Sequence, residues 1–277
     1  MADTITVGEV QVTSLSDGFL EFDLCNFYPS LPEEDWQPYR EYLTSEHRVH
    51  LELASYLLRS EGRTILVDTG MGPPPDDVLD ATWGRLLENL IAGGVQPNDV
   101  DTVLMTHVHR DHVGWNTTGE DGGYRPTFPN ARHCISSTDW EACHRDDMRE
   151  RFPNAPERVW PLEELGLLEL MDGEHAITGE LKVIPTPGHT PGHVSVEISS
   201  RGERAIILGD VLHNQAQVHE TDWVSRADTY VERTRTTRRL LMERLEREGT
   251  LAAAGHLPAP GFGRVVRRDG RRRWQPL

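Results

Sequence analysis

Residues 105–115 read MTHVHRDHVGW and contain the pattern H-x-H-x-D-H. A single histidine is more often a hydrogen-bonded structural residue than a metal ligand, but here four ligand-type side chains lie within six consecutive positions. The apolar run before them, DTVLMT, is typical of a β-strand, and the turn after a strand can present side chains in two directions. His107 and His109 can face one point, while Asp111 and His112, adjacent in sequence, diverge toward a second. The pattern therefore indicates that one loop supplies ligands to two metal ions.

Three later segments carry further ligand-type residues, each at the end of a strand-like run. In VIPTPGHTPGHVSV, residues 183–196, a turn rich in Pro and Gly holds His189 and His193, which are alternative ligands. The run RAIILGD leads to Asp210, and TLAAAGH leads to His256. Convergence of these strand-end loops with the first loop predicts a metal site built from imidazole and carboxylate groups. Such ligands suit zinc and also manganese, iron or cobalt.

The composition excludes several other classes of function. The chain has 277 residues and a formal net charge of −17, with Lys182 as its only lysine, so a nucleic-acid backbone would meet net repulsion. No run approaches the roughly 18 consecutive apolar residues that cross a bilayer, and the first residues, MADTITVGEV, lack the pattern of a signal peptide. We expect a cytoplasmic protein of one domain, residues 1–277, with a small-molecule substrate and neither a nucleic-acid nor a membrane partner.

The remaining patterns predict a layered α/β protein in which many short strands are separated by fewer helices. One helical pattern spans residues 81–93, with these apolar side chains at helical spacing: Trp83, Leu86, Leu87, Leu90 and Ile91. Another runs from about Asp228 to Glu248, with Gly249 as its stop and these residues on its apolar side: Val231, Leu240, Leu241 and Leu245. Near the end, Asp269-Gly270 between two strand-like arms predicts a type I′ hairpin.

The segment 22–48 has a different character. Its prolines interrupt any period, and it supplies aromatic surface through Phe27, Tyr28, Trp36, Tyr39 and Tyr42. We interpret it as a lid over the site or as a dimerisation surface, and an irregular segment packed on the core is the equal alternative.

Taken together, these motifs resemble those of the metallo-β-lactamase superfamily. The H-x-H-x-D-H pattern, the PGHTPGH turn, the strand-terminal Asp and the late His occur in the order of that family, and LVDTGMG around Asp68 resembles its early Asp-Thr-Gly segment. From about Leu51 to Trp274 the chain is similar to the branch that contains methyl parathion hydrolase and the quorum-quenching lactonases. The resemblance implies an αββα sandwich: two mixed β-sheets face to face, with helices outside and metals at one sheet edge.

The resemblance also implies roles for individual residues. One metal would be held by His107, His109 and His189, the other by Asp111, His112 and His256, with Asp210 bridging the two. The family pattern selects His189 over His193, so His193 and Asp68 are expected to support the ligands without binding metal. The expected cofactors are two divalent metal ions per chain, zinc first, with manganese, iron and cobalt open.

The function predicted on this basis is hydrolysis of a small ester, lactone or phosphotriester. Metals lower the pKa of a bound water from about 15.7 to about 7, so a bridging hydroxide can attack without a protein nucleophile. Asp111 is the candidate to orient it and move its proton. His213 stands where related lactonases have a tyrosine, three residues after the bridging Asp, which weakens the substrate assignment. It is a candidate to bind a substrate oxygen or to serve as a general acid, and a packed or surface histidine is the alternative. An apolar pocket is predicted from these residues: Phe27, Tyr28, Trp36, Trp115 and Trp223. The alternative is a mononuclear iron oxidoreductase resembling the persulfide dioxygenases, and a homodimer is an open option.

Overall fold

The computed structural model describes residues 3–75, 77–78, 80–120 and 123–277. Its strands are β1 (Thr4–Val7), β2 (Val10–Asp23), β3 (Arg48–Ser60), β4 (Arg63–Val67), β5 (Thr102–Leu104), β6 (Thr117–Glu120), β7 (Gly123–Pro126), β8 (Arg132–Ser136), β9 (Leu168–Met171), β10 (His175–Ala176), β11 (Leu181–Pro185), β12 (Val194–Ser200), β13 (Glu203–Ile207), β14 (Leu251–Ala253), β15 (Phe262–Arg268) and β16 (Arg271–Pro276). Its α-helices are α1 (Leu24–Phe27), α2 (Leu86–Ala92), α3 (Arg110–Val113), α4 (Ser137–Cys143), α5 (Ala155–Arg158), α6 (Pro161–Glu164) and α7 (Val231–Glu248). Short 3-10 helices cover Glu33–Tyr42, Pro97–Asp99, Asp146–Met148, Gly209–Val211 and Gln215–Val218.

Two mixed sheets form the centre of the molecule. The first has the strand order β1-β2-β3-β4-β5-β8-β9, and the second has the order β10-β11-β12-β13-β14-β15-β16. Each sheet is antiparallel over much of its width, but β4, β5, β8 and β9 run parallel to one another, as do β13 and β14. A separate hairpin pairs β6 with β7.

The alternation of side chains along the strands explains the layering. On β13, Ala205 and Ile207 enter the core between the two sheets, while Ile206 between them packs on the other face against Leu241 and Leu245 of α7. On the first sheet, the outward face packs against α2, and a further apolar cluster joins the end of that sheet to α4, α5 and α6. The αββα sandwich expected from the resemblance is confirmed.

The local predictions are confirmed in part. Residues 81–85 do not join α2, because Trp83 forms a β-bridge with Gly18 and the Asp17 carboxylate accepts the N–H of Leu86 at 2.8 Å. Ile91, predicted on the apolar face, is 47% exposed. The hairpin is confirmed, since Asp269 and Gly270 both have positive φ angles, 51° and 76°.

Helix α7 begins at Val231, three residues later than the sequence predicts. It ends as predicted, at Gly249, whose φ of 62° is the left-handed conformation of a helix stop. Leu241 and Leu245 are buried, but Val231 and Leu240 are exposed, which corrects the predicted apolar side. Among the described residues, no helix is both long and apolar enough to cross a membrane.

The segment 22–48 packs on the second half of the chain. Its buried aromatic residues form a cluster with Ala216 and Trp223, and Tyr28 and Trp36 are 0% and 1% exposed. This packing agrees with the predicted alternative of an irregular segment on the core. A role as a lid or in dimerisation stays a prediction.

The strand topology places the ligand-type residues together. Val67 pairs with Leu104 in the parallel strands β4 and β5, so Asp68 and His107, which follow them, leave the sheet at the same edge. Ile207 likewise pairs with Ala253 in the parallel strands β13 and β14, and Asp210 and His256 follow those strands. Because both sheets end at one side of the sandwich, four strand-end loops meet there.

Candidate metal centre

Three histidine rings form the first half of the site. Nε2 of His107 lies 3.1 Å from Nδ1 of His109, and that atom lies 2.8 Å from Nε2 of His189. Burial, and then the neighbouring histidines, hold the pKa of His107 and of His109 well below the usual value. These two rings are therefore neutral, and their lone pairs converge on one point.

A second group of ligand atoms lies beside the first. Nε2 of His112 and Nε2 of His256 are each 3.6 Å from Oδ2 of Asp111. The two histidines are almost fully buried, while the side chain of Asp111 is 19% exposed. Asp111 therefore faces the solvent-accessible side of the group.

Asp210 lies between the two groups. Its Oδ2 is 3.1 Å from Nε2 of His189 and 3.1 Å from Nε2 of His256, and its Oδ1 is 3.2 Å from Nε2 of His112. Burial alone would raise the pKa of Asp210, but the surrounding imidazole groups, His112 first, hold it well below the usual value. An ionised carboxylate at this place can bridge two cations.

The hydrogen bonds around the histidines test whether metal ions fit. The Nδ1–H groups donate outward: His112 to Asp68 at 2.9 Å, His189 to Asp228 at 3.0 Å and His256 to the carbonyl oxygen of Glu52 at 2.7 Å. With Nδ1 of each ring bonded outward, Nε2 is directed into the centre, the arrangement found for metal-bound histidines.

Two buried atoms at the centre have no hydrogen-bond partner, Nε2 of His112 and Oδ1 of Asp210, although they face each other at 3.2 Å. An unmade bond of this kind costs about 1–3 kcal/mol for a neutral group and more for a charged one. A cation between the nitrogen and the carboxylate oxygen would satisfy both. The nitrogen and oxygen donors thus fit two divalent metal ions: His107, His109, His189 and Asp210 form one group and Asp111, His112 and His256 another. Asp210 also contacts His112 and His256 of the second group.

Asp68 fixes the geometry of the first loop. Its Oδ1 accepts the backbone N–H of Thr106 at 2.7 Å, and its Oδ2 accepts the hydroxyl of Thr106 at 2.8 Å as well as Nδ1–H of His112. Asp68 thus contacts His112 on the side away from the centre and holds the segment that carries His107. Its support of metal ligands stays a prediction.

His193 faces away from the centre. Its Nε2 accepts the backbone N–H of Asp210 at 2.9 Å, so its lone pair is already used, and its Nδ1–H donates to the carbonyl oxygen of Thr186. Burial, and then the charge of His189, lower the pKa of His193 to about 3, which keeps it the neutral acceptor that Asp210 requires. Of the two histidines in the turn, His189 is the one whose ring joins the cluster.

Comparison with known protein families decides the relationship. A sequence model of the metallo-beta-lactamase superfamily matches residues 53–256, a span from within β3 to the last of the seven clustered residues. The chain belongs to this superfamily.

Individual relatives agree with that assignment. The N-acyl homoserine lactonase AiiA of Bacillus thuringiensis subsp. kurstaki is 26% identical over 182 residues, which are 60% of this chain and 66% of that protein. A solved structure of AidC, a dizinc quorum-quenching lactonase in complex with a product, N-hexanoyl-L-homoserine, matches with a TM-score of 0.84 at 23% identity, covering 100% of this chain and 97% of that one. The hydrolase AbOPH of the beta lactamase superfamily matches with the same TM-score, 0.84, at 27% identity and the same coverage, 100% and 97%. These likenesses extend the shared fold beyond the segment matched by the family model.

The ring of His189 is held by a residue that the sequence analysis did not single out, Asp228. Asp228 is fully buried, accepts Nδ1–H of His189, and accepts the backbone N–H of Ser225 at 2.7 Å. The buried guanidinium of Arg238 lies 3.8 Å from it. Sequence reasoning assigned Asp228 to the start of a helix, and only the tertiary structure brings it to His189.

His213, predicted to act on the substrate, lies at the inner wall of the site. Its Nε2 is 3.3 Å from Oδ2 of Asp210, its ring stacks on His256 with centroids 5.4 Å apart, and Phe27 packs edge-on against it. Its Nδ1 is buried without a hydrogen-bond partner. His213 is therefore within reach of any group bound at Asp210.

A cavity of about 310 Å³ opens onto the cluster. Larger grooves of about 550 Å³ lie elsewhere on the surface, but the cluster chemistry selects the smaller cavity as the candidate substrate site. Its apolar lining includes Leu20, Phe22, Phe27 and Leu51.

Of the five aromatic residues predicted to line a pocket, Phe27 alone lines this cavity among the described residues. Tyr28 and Trp36 are buried behind Phe27, and Trp223 packs against Trp36 with ring centroids 4.7 Å apart. Trp115 points to the helix side of the first sheet, where its Nε1–H donates to Asp17. The prediction is corrected for these four residues, because Tyr28, Trp36 and Trp223 pack in one aromatic cluster and Trp115 packs against the first sheet.

Proposed function

We propose that this chain is a hydrolase that holds two divalent metal ions in the cluster. His107, His109 and His189 would hold one ion, Asp111, His112 and His256 the other, and Asp210 both. The observation that carries the proposal is the convergence of Nε2 of His112, His189 and His256 on one shared, buried carboxylate. Zinc is the first candidate, since the donors are imidazole and carboxylate and a structural neighbour is a dizinc lactonase.

The residues of the chain have separate tasks in this chemistry. Two bound cations would supply a water of lowered pKa and a Lewis acid for the oxygen of the attacked bond. Asp111, the most exposed of the acidic ligands, is placed to orient the water and to receive its proton. His213 is placed to hydrogen-bond the substrate oxygen that becomes negatively charged, because its Nε2 lies beside Asp210 at the cavity.

The substrate class follows from the cavity and the relatives. The apolar side chains of the cavity, among them Leu20, Phe27 and Leu51, suit an acyl chain or an aryl group. The relative AiiA is an N-acyl homoserine lactonase. We propose small esters and lactones as substrates, with phosphotriesters as the further class to be tested. A mononuclear iron oxidoreductase has no support, since the second group of ligand atoms provides for another cation and the matched proteins are hydrolases.

The test combines metal analysis with a substrate panel. The purified protein should carry two metal ions per chain and hydrolyse lactones or aryl esters, and chelation should remove both properties. His109→Ala should lower the metal content and abolish turnover, whereas His175→Ala, at a partly exposed histidine outside the cluster, should change neither. Turnover that survives chelation and His109→Ala would overturn the proposal.

A further inference from the structure

Part of the wall of the cavity is basic. Three arginines line it, Arg110, Arg151 and Arg226, and each comes from a different segment of the chain. This concentration of positive charge contrasts with the composition, in which 45 acidic residues outnumber 28 basic ones. A basic wall in an acidic protein points to a function at this place.

Each arginine lies close in sequence to a residue that belongs to the candidate metal centre or contacts it. Arg110 lies between the ligand residues His109 and Asp111 in the sequence. Arg151 precedes Phe152, whose ring centroid is 5.8 Å from that of His109. Arg226 is two residues before Asp228, the hydrogen-bond partner of His189. The backbone positions of these arginines therefore follow from the same segments that build the cluster.

The arginines also support one another through the backbone. Nη1 of Arg151 donates to the carbonyl oxygen of Arg226 at 2.8 Å, and the backbone N–H of Arg226 donates to the carbonyl oxygen of Phe27 at 2.9 Å. The guanidinium of Arg226 lies 5.1 Å from the ring centroid of Phe22 and donates to the side chain of Asn26. The basic wall and the apolar wall are thus joined at Phe22 and Phe27.

Within the described part of the chain, none of the three arginines has an ion-pair partner, although all three are exposed. The cavity lining also contains the carboxylates of Asp111, Asp210 and Glu150. Asp111 and Asp210 are assigned to the proposed cations, which leaves Glu150 as the one carboxylate that opposes three guanidinium groups on the described lining.

We propose that this wall, Arg110, Arg151 and Arg226, is a subsite for a carboxylate on the substrate, at a distance from the bond that is broken. The inference rests on the proposed hydrolase function and adds to it that esters or lactones with a negative charge are preferred over neutral ones of the same shape. An arginine presents its donors in a planar fork that matches a carboxylate, so the wall can bind such a group with direction as well as charge.

The test uses two esters with the same leaving group. One is the mono-4-nitrophenyl ester of adipic acid, and the other is 4-nitrophenyl 6-oxoheptanoate, in which a methyl ketone replaces the carboxylate. The ratio of kcat/KM for the charged ester to kcat/KM for the neutral ester is the measured quantity. We expect this ratio to exceed one in the unmodified enzyme, and to fall about threefold in Arg110→Gln and in Arg151→Gln, mainly through KM, because exposed charge pairs are weak.

Two further variants serve as controls for the ratio of kcat/KM values. Glu150→Gln removes the opposing carboxylate and should raise the ratio, whereas Arg239→Gln, an exposed arginine of α7 outside the cavity, should leave it unchanged. Salt should reduce the preference, since the wall is exposed to solvent. Hydrolysis of the neutral ester with no preference for the charged one, or equal ratios in all variants, would overturn the subsite and leave the hydrolase proposal standing. Failure to hydrolyse either ester, together with lactones and phosphotriesters, would instead overturn the hydrolase proposal.

Discussion

Replacement of Asp228 by asparagine should weaken binding of the cation proposed for His107, His109 and His189. Asp228 is buried, and its carboxylate accepts Nδ1–H of His189 at 3.0 Å. Burial alone would raise the pKa of Asp228, but the hydrogen bond from His189 and the charge of Arg238 hold it below its usual range. The group is therefore ionised, and its negative charge makes the opposite nitrogen of His189 a stronger ligand.

The size of the effect follows from what asparagine keeps and what it loses. Its side-chain oxygen can still accept from His189, so the ring stays oriented, but the charge behind the ring is gone. Loss of such a supporting carboxylate weakens metal binding about 10- to 100-fold, or about 1.4–2.8 kcal/mol. The new amide nitrogen would also face the backbone N–H of Ser225, which now donates to Oδ2 at 2.7 Å, and this unmade bond should lower the free energy of unfolding by about 1–3 kcal/mol.

Competition with a chromophoric chelator measures the two zinc dissociation constants, and thermal unfolding of the metal-free protein measures the folding cost separately. In a His256→Ala background, which removes a proposed ligand of the second group, the remaining site is the one that Asp228 supports. Asp222→Asn is the matched control, since it removes the same charge from an exposed position six residues away. Unchanged zinc affinity in a folded Asp228→Asn protein would refute the reasoning.

Three further predictions concern stability. Burial lowers the pKa of His133 from 6.5 to about 4, so the unfolded chain takes up a proton first as the pH falls. Protonation of this residue should therefore lower the free energy of unfolding by about 2 kcal/mol between pH 7 and pH 5. Urea unfolding of His133→Gln should show a correspondingly smaller decrease over the same pH range. An equal loss in the variant would contradict the assignment. Leu245→Ala should lower the free energy of unfolding by about 2–5 kcal/mol, because its side chain is buried between α7 and the second sheet, while Leu240→Ala, at a residue 58% exposed, should change it by less than about 0.5 kcal/mol. Chelation should lower the melting temperature, and added zinc should restore it, since metal binds the folded chain preferentially; a melting temperature independent of metal would count against the two-cation site.

The sequence predicted the layers of the fold because patterns of side chains along a strand or helix are local. The turn at Asp269-Gly270 and the stop at Gly249 depend on backbone angles that these residues adopt easily, and both were found. The beginning of α2 was wrong because Asp17, distant in sequence, accepts the N–H of Leu86 and fixes the start there. Long-range hydrogen bonds of this kind leave no periodic signal.

The ligand-type residues could be proposed from sequence because each follows a strand-like run or lies in a distinctive motif. The two carboxylates that hydrogen-bond to ligand-type histidines differ in how visible they are in the sequence. Asp68 was found because it belongs to a motif, while Asp228 has no motif and meets His189 only through the fold. The pocket was predicted poorly for a related reason: burial of Trp36 and Tyr28 depends on which face of an irregular segment turns inward.

The same distinction explains why the basic wall is visible only in the structure. Arg110 lies within the H-x-H-x-D-H motif, but nothing local separates Arg151 and Arg226 from the other arginines of the chain. What selects them is the neighbour of each: a ligand-type residue, an aromatic ring against His109, and the carboxylate behind His189. Since the loops that present metal ligands also present their flanking residues, evolution of the cavity wall can alter substrate preference at positions next to the ligands while the ligands stay fixed. Selectivity in this chain is therefore expected to change with substitutions at these three positions before it changes with substitutions in the cluster itself.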